Sequence, residues 1–391
     1  MDFQNVNPLN VHTNFISGNL LPLAPGVSQF SIMWKLFSIL MWLLQAIQVS
    51  VMIPGLFIVP WESALLASTI TSVNTIEVFF MVGRILARRK LVDRLISKLN
   101  EILHVEDETM RNIVTTTLKP MNTPLKFYCW SGGLSILVWF SIPFLLISER
   151  SSFFYEDFKL PAVFSKQPFS TQVFLLGNLF LIIGNVHIFL KKCGVDIYMI
   201  HLVLLITSQY RYISTRLTTT FQDANLQSEV EGYSPETNRW TDSTLRALCQ
   251  HHVTVIRLSS VLKELLSLSF TMIYVNSVLR FCFIGVLLSR VLSTTLLEGF
   301  LVMMFTCGCV VQFYILCFCV QQLQDASRNI TIEAFHEKWY LFGPSVRRTF
   351  MLMILSNNLG CNLSTSSKFN LSLSSFMSIL NQSYSIALVL L

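Results

Sequence analysis

Four ionisable side chains fall inside apolar stretches of this chain and are the first candidates for chemistry: Glu77, Arg84, Arg280 and Glu298. A charge placed in a bilayer is costly, and such a residue reads as functional unless a structural partner explains it. Glu77 and Arg84 are seven residues apart on one helix face and read as a structural pair. Arg280 reads as lying in the outer half of its stretch, where a long side chain can reach outward to water. Glu298 sits near the outer end of the next stretch. Proton- or ion-coupled transport uses a chain of such groups at mid-membrane, and four scattered residues do not make one. The nine cysteines include two C-x-C pairs, Cys307/Cys309 and Cys317/Cys319. With no His cluster and no nearby carboxylate to complete a ligand set, these read as apolar packing. His251 and His252 read as a solvated or packed pair in an amphipathic segment. There is no phosphate-cradling glycine loop, no H-E-x-x-H and no G-x-S-x-G. The residues therefore imply neither an enzyme nor a metal or cofactor.

The elements that would position these groups are apolar helices. The chain has 391 residues, of which 52% are hydrophobic and 13% charged, with a mean hydropathy of +0.57. A soluble domain carries about 25% charged residues. The apolar residues come in blocks long enough for spanning helices, which need roughly 20 residues each. Seven spans are expected, at 36–58, 62–87, 126–148, 169–190, 265–289, 294–320 and 373–391. Residues 1–35 read as a polar or interfacial lead-in without a cleavable signal. Span one to span six occupies 36–322, an anchor and re-entry helix 323–372, and the seventh span 373–391.

Lysine and arginine set the orientation. With the N-terminus inside, the segment 84–126 places nine basic residues in the cytosol, including Arg84, Arg88, Arg89, Lys90 and Lys126. The outside receives only Arg150, Lys159, Lys166 and Arg290. Seven spans then put the C-terminus outside. The loop 149–168 has no cysteine, so no extracellular disulfide framework can be drawn. The cytosolic segments keep helical apolar spacing: Leu91, Leu95, Ile96, Leu99, Ile102 and Leu103 share one face, and Leu245, Leu248, Val255, Leu258 and Leu262 share another. Such helices either lie on the membrane surface or continue the spans into a cytosolic anchor bundle. The expected class is an all-α membrane protein.

The C-terminal third carries a recognisable set. Phe313 and Cys317 close span six, Ser327 follows, then Trp339–Tyr340, the doublet Arg347–Arg348, and a last helix with Phe376, Ile379, Leu380, Ser383, Tyr384 and Ser385. Over these 80 or so residues the chain resembles the insect odorant receptor family. It lacks the co-receptor's long segment between spans four and five and resembles a tuning subunit. The gustatory sister family's Thr-Tyr signature fails at three positions, and an Asp/Glu-Arg-Tyr after span three and Asn-Pro-x-x-Tyr in span seven, as in G-protein-coupled receptors, are missing. A gustatory-type homotetrameric channel and a G-protein-coupled receptor remain the alternatives.

The resemblance implies a non-selective cation channel assembled with the co-receptor as a heterotetramer in the plasma membrane. It implies a small volatile odorant as ligand and lipid, not nucleic acid, as surroundings. It implies an odorant pocket in the outer half of spans two to six, where Gly132, Ser135 and Trp139 share a face of span three, with Phe180 on span four and Tyr274 on span five. The family register places the pore gate at Ser383, Ala387 and Leu391, and the assembly contact at Trp339 and Tyr340. The last helix carries Ser378, Asn381, Gln382, Ser383 and Ser385, more polar groups than lipid on all sides would allow.

The orientation has a direct check. An epitope tag at residue 1 should be hidden from antibody in intact cells and appear after permeabilisation; staining of intact cells would reverse the topology and favour the G-protein-coupled alternative.

Overall fold

Residues 1–25 do not lie loosely on a surface. The computed structural model describes residues 1–25, 30–58, 61–105, 107–160, 162–231, 235–291, 296–358 and 371–390, and it tucks the N-terminus into the helix bundle. Helix α1 (Pro8–Ile16) begins with proline in its first turn, where the missing N–H costs nothing. It packs on α6 (Thr171–Glu231). Phe3 is fully buried between Tyr198 and His201 of α6. The Phe3 N–H donates to Asn100 Oδ1 at 2.8 Å, and the His201 ring nitrogen Nε2 lies 3.2 Å from the Phe3 carbonyl. Tyr198 donates to the Pro22 carbonyl at 2.8 Å.

The remaining helices are α2 (Ile32–Ile58), α3 (Trp61–Ala87), α4 (Arg89–Leu103), α5 (Glu108–Ser141), α7 (Pro235–Val291), α8 (Leu296–His336), α9 (Pro344–Asn358) and α10 (Leu373–Leu390). Apart from one short ribbon, β1 (Ser152–Phe153) paired antiparallel with β2 (Phe169–Ser170), the described structure is all-α. Six helices, α2, α3 and α5 to α8, are long and apolar enough to cross a membrane among the described residues. The seventh expected span is α10, which is shorter at 18 residues and packs against α7 and α8. Large apolar side chains point outward from the spanning helices, as Ile39, Phe57, Trp130 and Phe300 do. In water these would be a liability; in a bilayer they are the lipid contact, since only helices satisfy their own backbone there.

Helix length answers whether the amphipathic segments between the spans are surface helices or continuations. Helices α6 and α7 have 61 and 57 residues, so α6 runs about 90 Å at 1.5 Å per residue. The hydrocarbon core is about 30 Å thick. The spans therefore continue past the membrane, and their ends form a collar with its own apolar core. Helix α4 shows how it closes. Its buried face is Val92, Leu95, Ile96, Leu99 and Leu103, spaced three and four apart, and it packs on α7. Each such side chain removed from water stabilises by about 1.5–3 kcal/mol. The histidine pair belongs to this core too. His252 Nε2 lies 3.1 Å from Asn357 Oδ1 of α9, and the His251 ring stands edge-on to Tyr212. Burial, with the neighbouring His252, pushes His251 down to about 4.

Of the two C-x-C pairs, Cys309, Cys317 and Cys319 are buried and unbridged, whereas Cys307 is exposed. Among the described residues no group of His, Cys, Asp and Glu could hold a metal ion. Trp339 stacks on Phe350 at 4.9 Å and 20° within the same chain, whereas its neighbour Tyr340 is 59% exposed.

His201 makes the docking of the N-terminus pH-dependent. Burial pushes its pKa down to about 4, below the ordinary value near 6.5. The docked state thus holds a neutral ring, and the undocked state takes up a proton first as pH falls. Docking stability is present above about pH 6.5 and is lost between there and about 4. The protection of amides 3–14 against deuterium exchange, taken relative to their intrinsic rates at each pH, should fall as the purified protein is taken from pH 7 to 5; unchanged protection would mean that another contact holds the segment.

Candidate ligand cavity

The spanning helices do not close completely on one another. A cavity of about 280 Å³ lies between α3, α5, α6, α7 and α8, under the connection that links α5 to α6. That is close to the lower end of small-molecule sites, roughly 300–1,000 Å³. Its walls repeat at helical spacing. Helix α6 presents Asn185, Ile188, Phe189 and Lys192, and α5 presents Ser135, Ile136, Trp139 and Phe140. Helix α8 adds Leu301, Val302 and Phe305, and α3 adds Ile70, Thr71 and Asn74. The walls are mostly hydrocarbon and ring faces with a few polar groups among them.

The α5–α6 connection supplies the roof and is not a free loop. Ribbon β1–β2 ties its ends, and Phe153 stacks on Phe174 of α6 at 4.0 Å. The Tyr155 hydroxyl donates to the Ser165 carbonyl at 2.8 Å. Phe158 and Lys159 then reach the cavity. The Lys159 ammonium sits 4.6 Å from the Trp139 ring centre and pairs with Glu298 Oε1 of α8 at 2.6 Å. One lysine thus holds the roof to both an aromatic wall and the mouth of α8.

Of the five residues expected at a ligand site, Ser135 and Trp139 line this cavity. Ser135 spends its hydroxyl proton on the Ser131 carbonyl at 2.6 Å, which leaves its oxygen as an acceptor. Gly132 stands behind the wall: a Cβ there would come within 2.3 Å of the Phe189 ring. The glycine lets that ring lie against α5 and shape the cavity. Phe180 and Tyr274 are corrections. Phe180 precedes Asn185 by five positions, about 140° around the helix, and its ring faces Phe164 instead. Tyr274 lies 13 positions before Leu287, the α7 residue at the cavity, hence about 20 Å along the axis.

Sequence reasoning missed the α6 face and the roof. The face could have been found: Ile188 and Phe189 stand three and four positions after Asn185, and Lys192 stands four and three after them, so the four form one stripe. The roof had no such signal, because a connection without periodicity does not say which way it folds.

The ionisable groups differ most from expectation. Glu77 does not pair with Arg84. Its carboxylate lies 3.0 Å from the Lys192 ammonium, with both side chains almost fully buried. Arg84 turns instead to the carbonyls of Glu264 and Leu265 at 3.1 Å. Lys192 also bonds Asp196 Oδ1 at 2.5 Å. Asp196 Oδ2 accepts from the Tyr128 hydroxyl at 3.2 Å and from Gln312 Nε2 at 3.0 Å. Arg280 does not reach outward to water; it is buried, and its Nη2 donates to Gln312 Oε1 at 3.0 Å. So α3, α5, α6, α7 and α8 meet in one polar cluster, and Lys192 carries it to the cavity. The interior chain of ionisable groups that seemed missing is present, and only folding brings it together.

The last helix also corrects an expectation. Ile379, Ser383 and Ala387 form its buried stripe. The Ser383 hydroxyl donates to the Val278 carbonyl of α7 at 3.2 Å, and Ala387 clusters with Cys282 and Val286 of α7. Of the three expected gate residues, Ser383 and Ala387 therefore face α7 of their own chain. Leu391 lies outside the described residues.

Long helices that pass through a bilayer into a packed collar, around a small apolar cavity, define a polytopic receptor-like membrane protein. Residues 63–384 match the 7tm odorant receptor family, and the chain belongs to that family. Odorant receptor 67a of Drosophila melanogaster is similar at 29% identity over 113 residues. That stretch is 29% of this chain and spans about a quarter, 26%, of the fly receptor's own length. The fold is similar to the insect olfactory receptor OR5 from Machilis hrabei, with a TM-score of 0.80 at 14% identity, covering 100% of this chain and 99% of that one. It is also similar to the same receptor in complex with eugenol, with a TM-score of 0.77 at 15% identity, covering 100% of this chain and 99% of that one.

The glycine behind the wall generates a test. Gly132→Ala must push the Phe189 ring, and the free volume beside it is the cavity. Across a panel of small apolar ligands, the variant should lose the bulkiest first, read as the ligand-induced rise in unfolding temperature. An unchanged ranking would show that the ring relaxes away from the cavity.

Proposed function

We propose that this protein is the odorant-binding subunit of a ligand-gated, non-selective cation channel, assembled with the co-receptor as a heterotetramer in the plasma membrane. The observation that carries the reading is the cavity between Trp139, Phe189 and Phe305 in a chain of the odorant receptor family. Its size and its mostly apolar walls suit a small volatile molecule, with Ser135 and Asn185 as orienting groups. The roof held by Lys159 covers the cavity on the side of Trp139 and Glu298. Basic residues favour a cytosolic N-terminus and an extracellular C-terminus.

The surfaces left uncovered support assembly. In the collar, Phe335, Tyr340 and Leu341 are exposed although their neighbours are packed. In a region surrounded by water, such large apolar side chains call for a partner surface. Tyr340 therefore takes the assembly role expected of the Trp339–Tyr340 pair, and Trp339 supports it from below. On α10 the stripe away from α7 carries Asn381, Ser385 and Leu388 at spacings of four and three. We assign the pore to this exposed polar stripe. It has no charge, so an ion would keep its water, which suits weak selectivity among cations.

Electrophysiology on the chain expressed with and without the co-receptor, against an odorant panel, tests the function. Current should require both the co-receptor and an odorant, and Trp139→Ala should change the rank order of odorants while some current remains. Odorant-evoked current from this chain alone would point to a homotetramer of the gustatory type. An unchanged rank order would remove Trp139 from the site.

A further inference from the structure

The polar cluster beside the cavity does more than satisfy its own charges. Glu77, Lys192, Asp196 and Arg280 supply two carboxylates and two cations, so the cluster is formally neutral, and all four are buried. Its connections are directional. Lys192 bonds Asp196; Asp196 accepts from Gln312; Gln312 accepts from Arg280. Gln312 is the hinge of this line, because its amide donates with one end and accepts with the other. Lys192 lines the cavity at one end. At the other end, Arg280 stands two residues after Val278, the α7 residue whose carbonyl holds Ser383 of α10. The next turns of α7 carry Cys282 and Val286, on which Ala387 packs.

We propose that Asp196, Gln312 and Arg280 are positioning residues that couple the occupancy of the cavity to the placement of α10. The proposal rests on the reading of the cavity as the ligand site of a channel. A ligand packed against Lys192 shifts its ammonium between Glu77 and Asp196. That changes what Asp196 offers to Gln312, and Gln312 passes the change to Arg280 and the α7 turn that carries α10.

One observation and one general property of hydrogen bonds favour coupling over a purely structural clasp. The cluster has spare bonding capacity: Arg280 Nε and Glu77 Oε2 are buried without a hydrogen-bond partner, while Glu77 and Asp196 both lie in electrostatic reach of Arg280. A second arrangement of the same groups is therefore available. Hydrogen bonds also weaken steeply with distance and angle, so a small displacement selects one arrangement or the other, where apolar contacts would slide. Coupling needs such a two-state element, biased from both ends.

The test uses the full chain expressed with the co-receptor. Gln312→Leu keeps the volume and removes both bonds of the relay. Odorant binding by the purified variant, read as quenching of tryptophan fluorescence, should stay within about threefold of the original, since Gln312 does not line the cavity. The odorant concentration for half-maximal current should move by about tenfold, or current without odorant should rise, in line with coupling energies that span about 5–150-fold. Arg280→Lys is the second variant if Gln312→Leu fails to reach the surface. It keeps the charge and loses the planar fork that reaches Gln312, and the same shift is expected. Surface-expressed variants with the original dose–response curve and baseline, or with only a lower unfolding temperature, would overturn the coupling and leave a structural clasp. Absence of odorant-evoked current from the unmodified pair would instead remove the channel reading on which the proposal stands.

Discussion

A charge held inside a membrane protein must be paired, and here that requirement falls on Lys192. Its ammonium is almost fully buried between Glu77 and Asp196. Removing one partner of such a pair costs about 3–5 kcal/mol, while the intact pair adds little net stability over apolar packing. Its value is in registration. Glu77, Tyr128 and Gln312 come from three other helices, and each finds its bond only at one height along α6, while Arg280 of a fourth helix joins through Gln312. Lipid offers no hydrophobic drive to align helices with one another. A directional polar cluster supplies the alignment that apolar surfaces alone would leave free to slide.

Helix α6 makes this possible because it serves two solvents. Its outer part stands in the bilayer, where interior contacts are selected by fit. Its inner part stands in the collar, where water drives Val195, Ile197, Leu202 and Leu205 into a core with the other helices. The N-terminus is drawn into the same core, so residues that look like a polar leader become part of the packing. A rigid rod anchored in the collar holds the cavity wall Asn185–Lys192 in place, and the α5–α6 connection is pinned across it. The cavity survives because its walls belong to helices fixed elsewhere. Gly132 adjusts one wall by admitting a ring where any other residue would exclude it.

The sequence by itself determined the class of structure. Blocks of apolar residues at bilayer length, basic segments between them and three-to-four spacing in the inner segments follow from local composition, and local composition suffices because a helix satisfies its own backbone. Ser135 and Trp139 share a face for the same reason, and that face lines the cavity. What only the tertiary structure decided is who meets whom across helices. Glu77 looked paired with Arg84 because both lie on one helix, yet its partner Lys192 is 115 positions away. Arg280 looked free to reach water, yet it faces Gln312. Ser383 and Ala387 shared a face as expected, but periodicity does not say whether that face meets a pore or a neighbour, and α7 took it. Pairing of buried charges and the facing of a stripe are set by the heights and rotations of whole helices, and these come from packing that no single segment encodes.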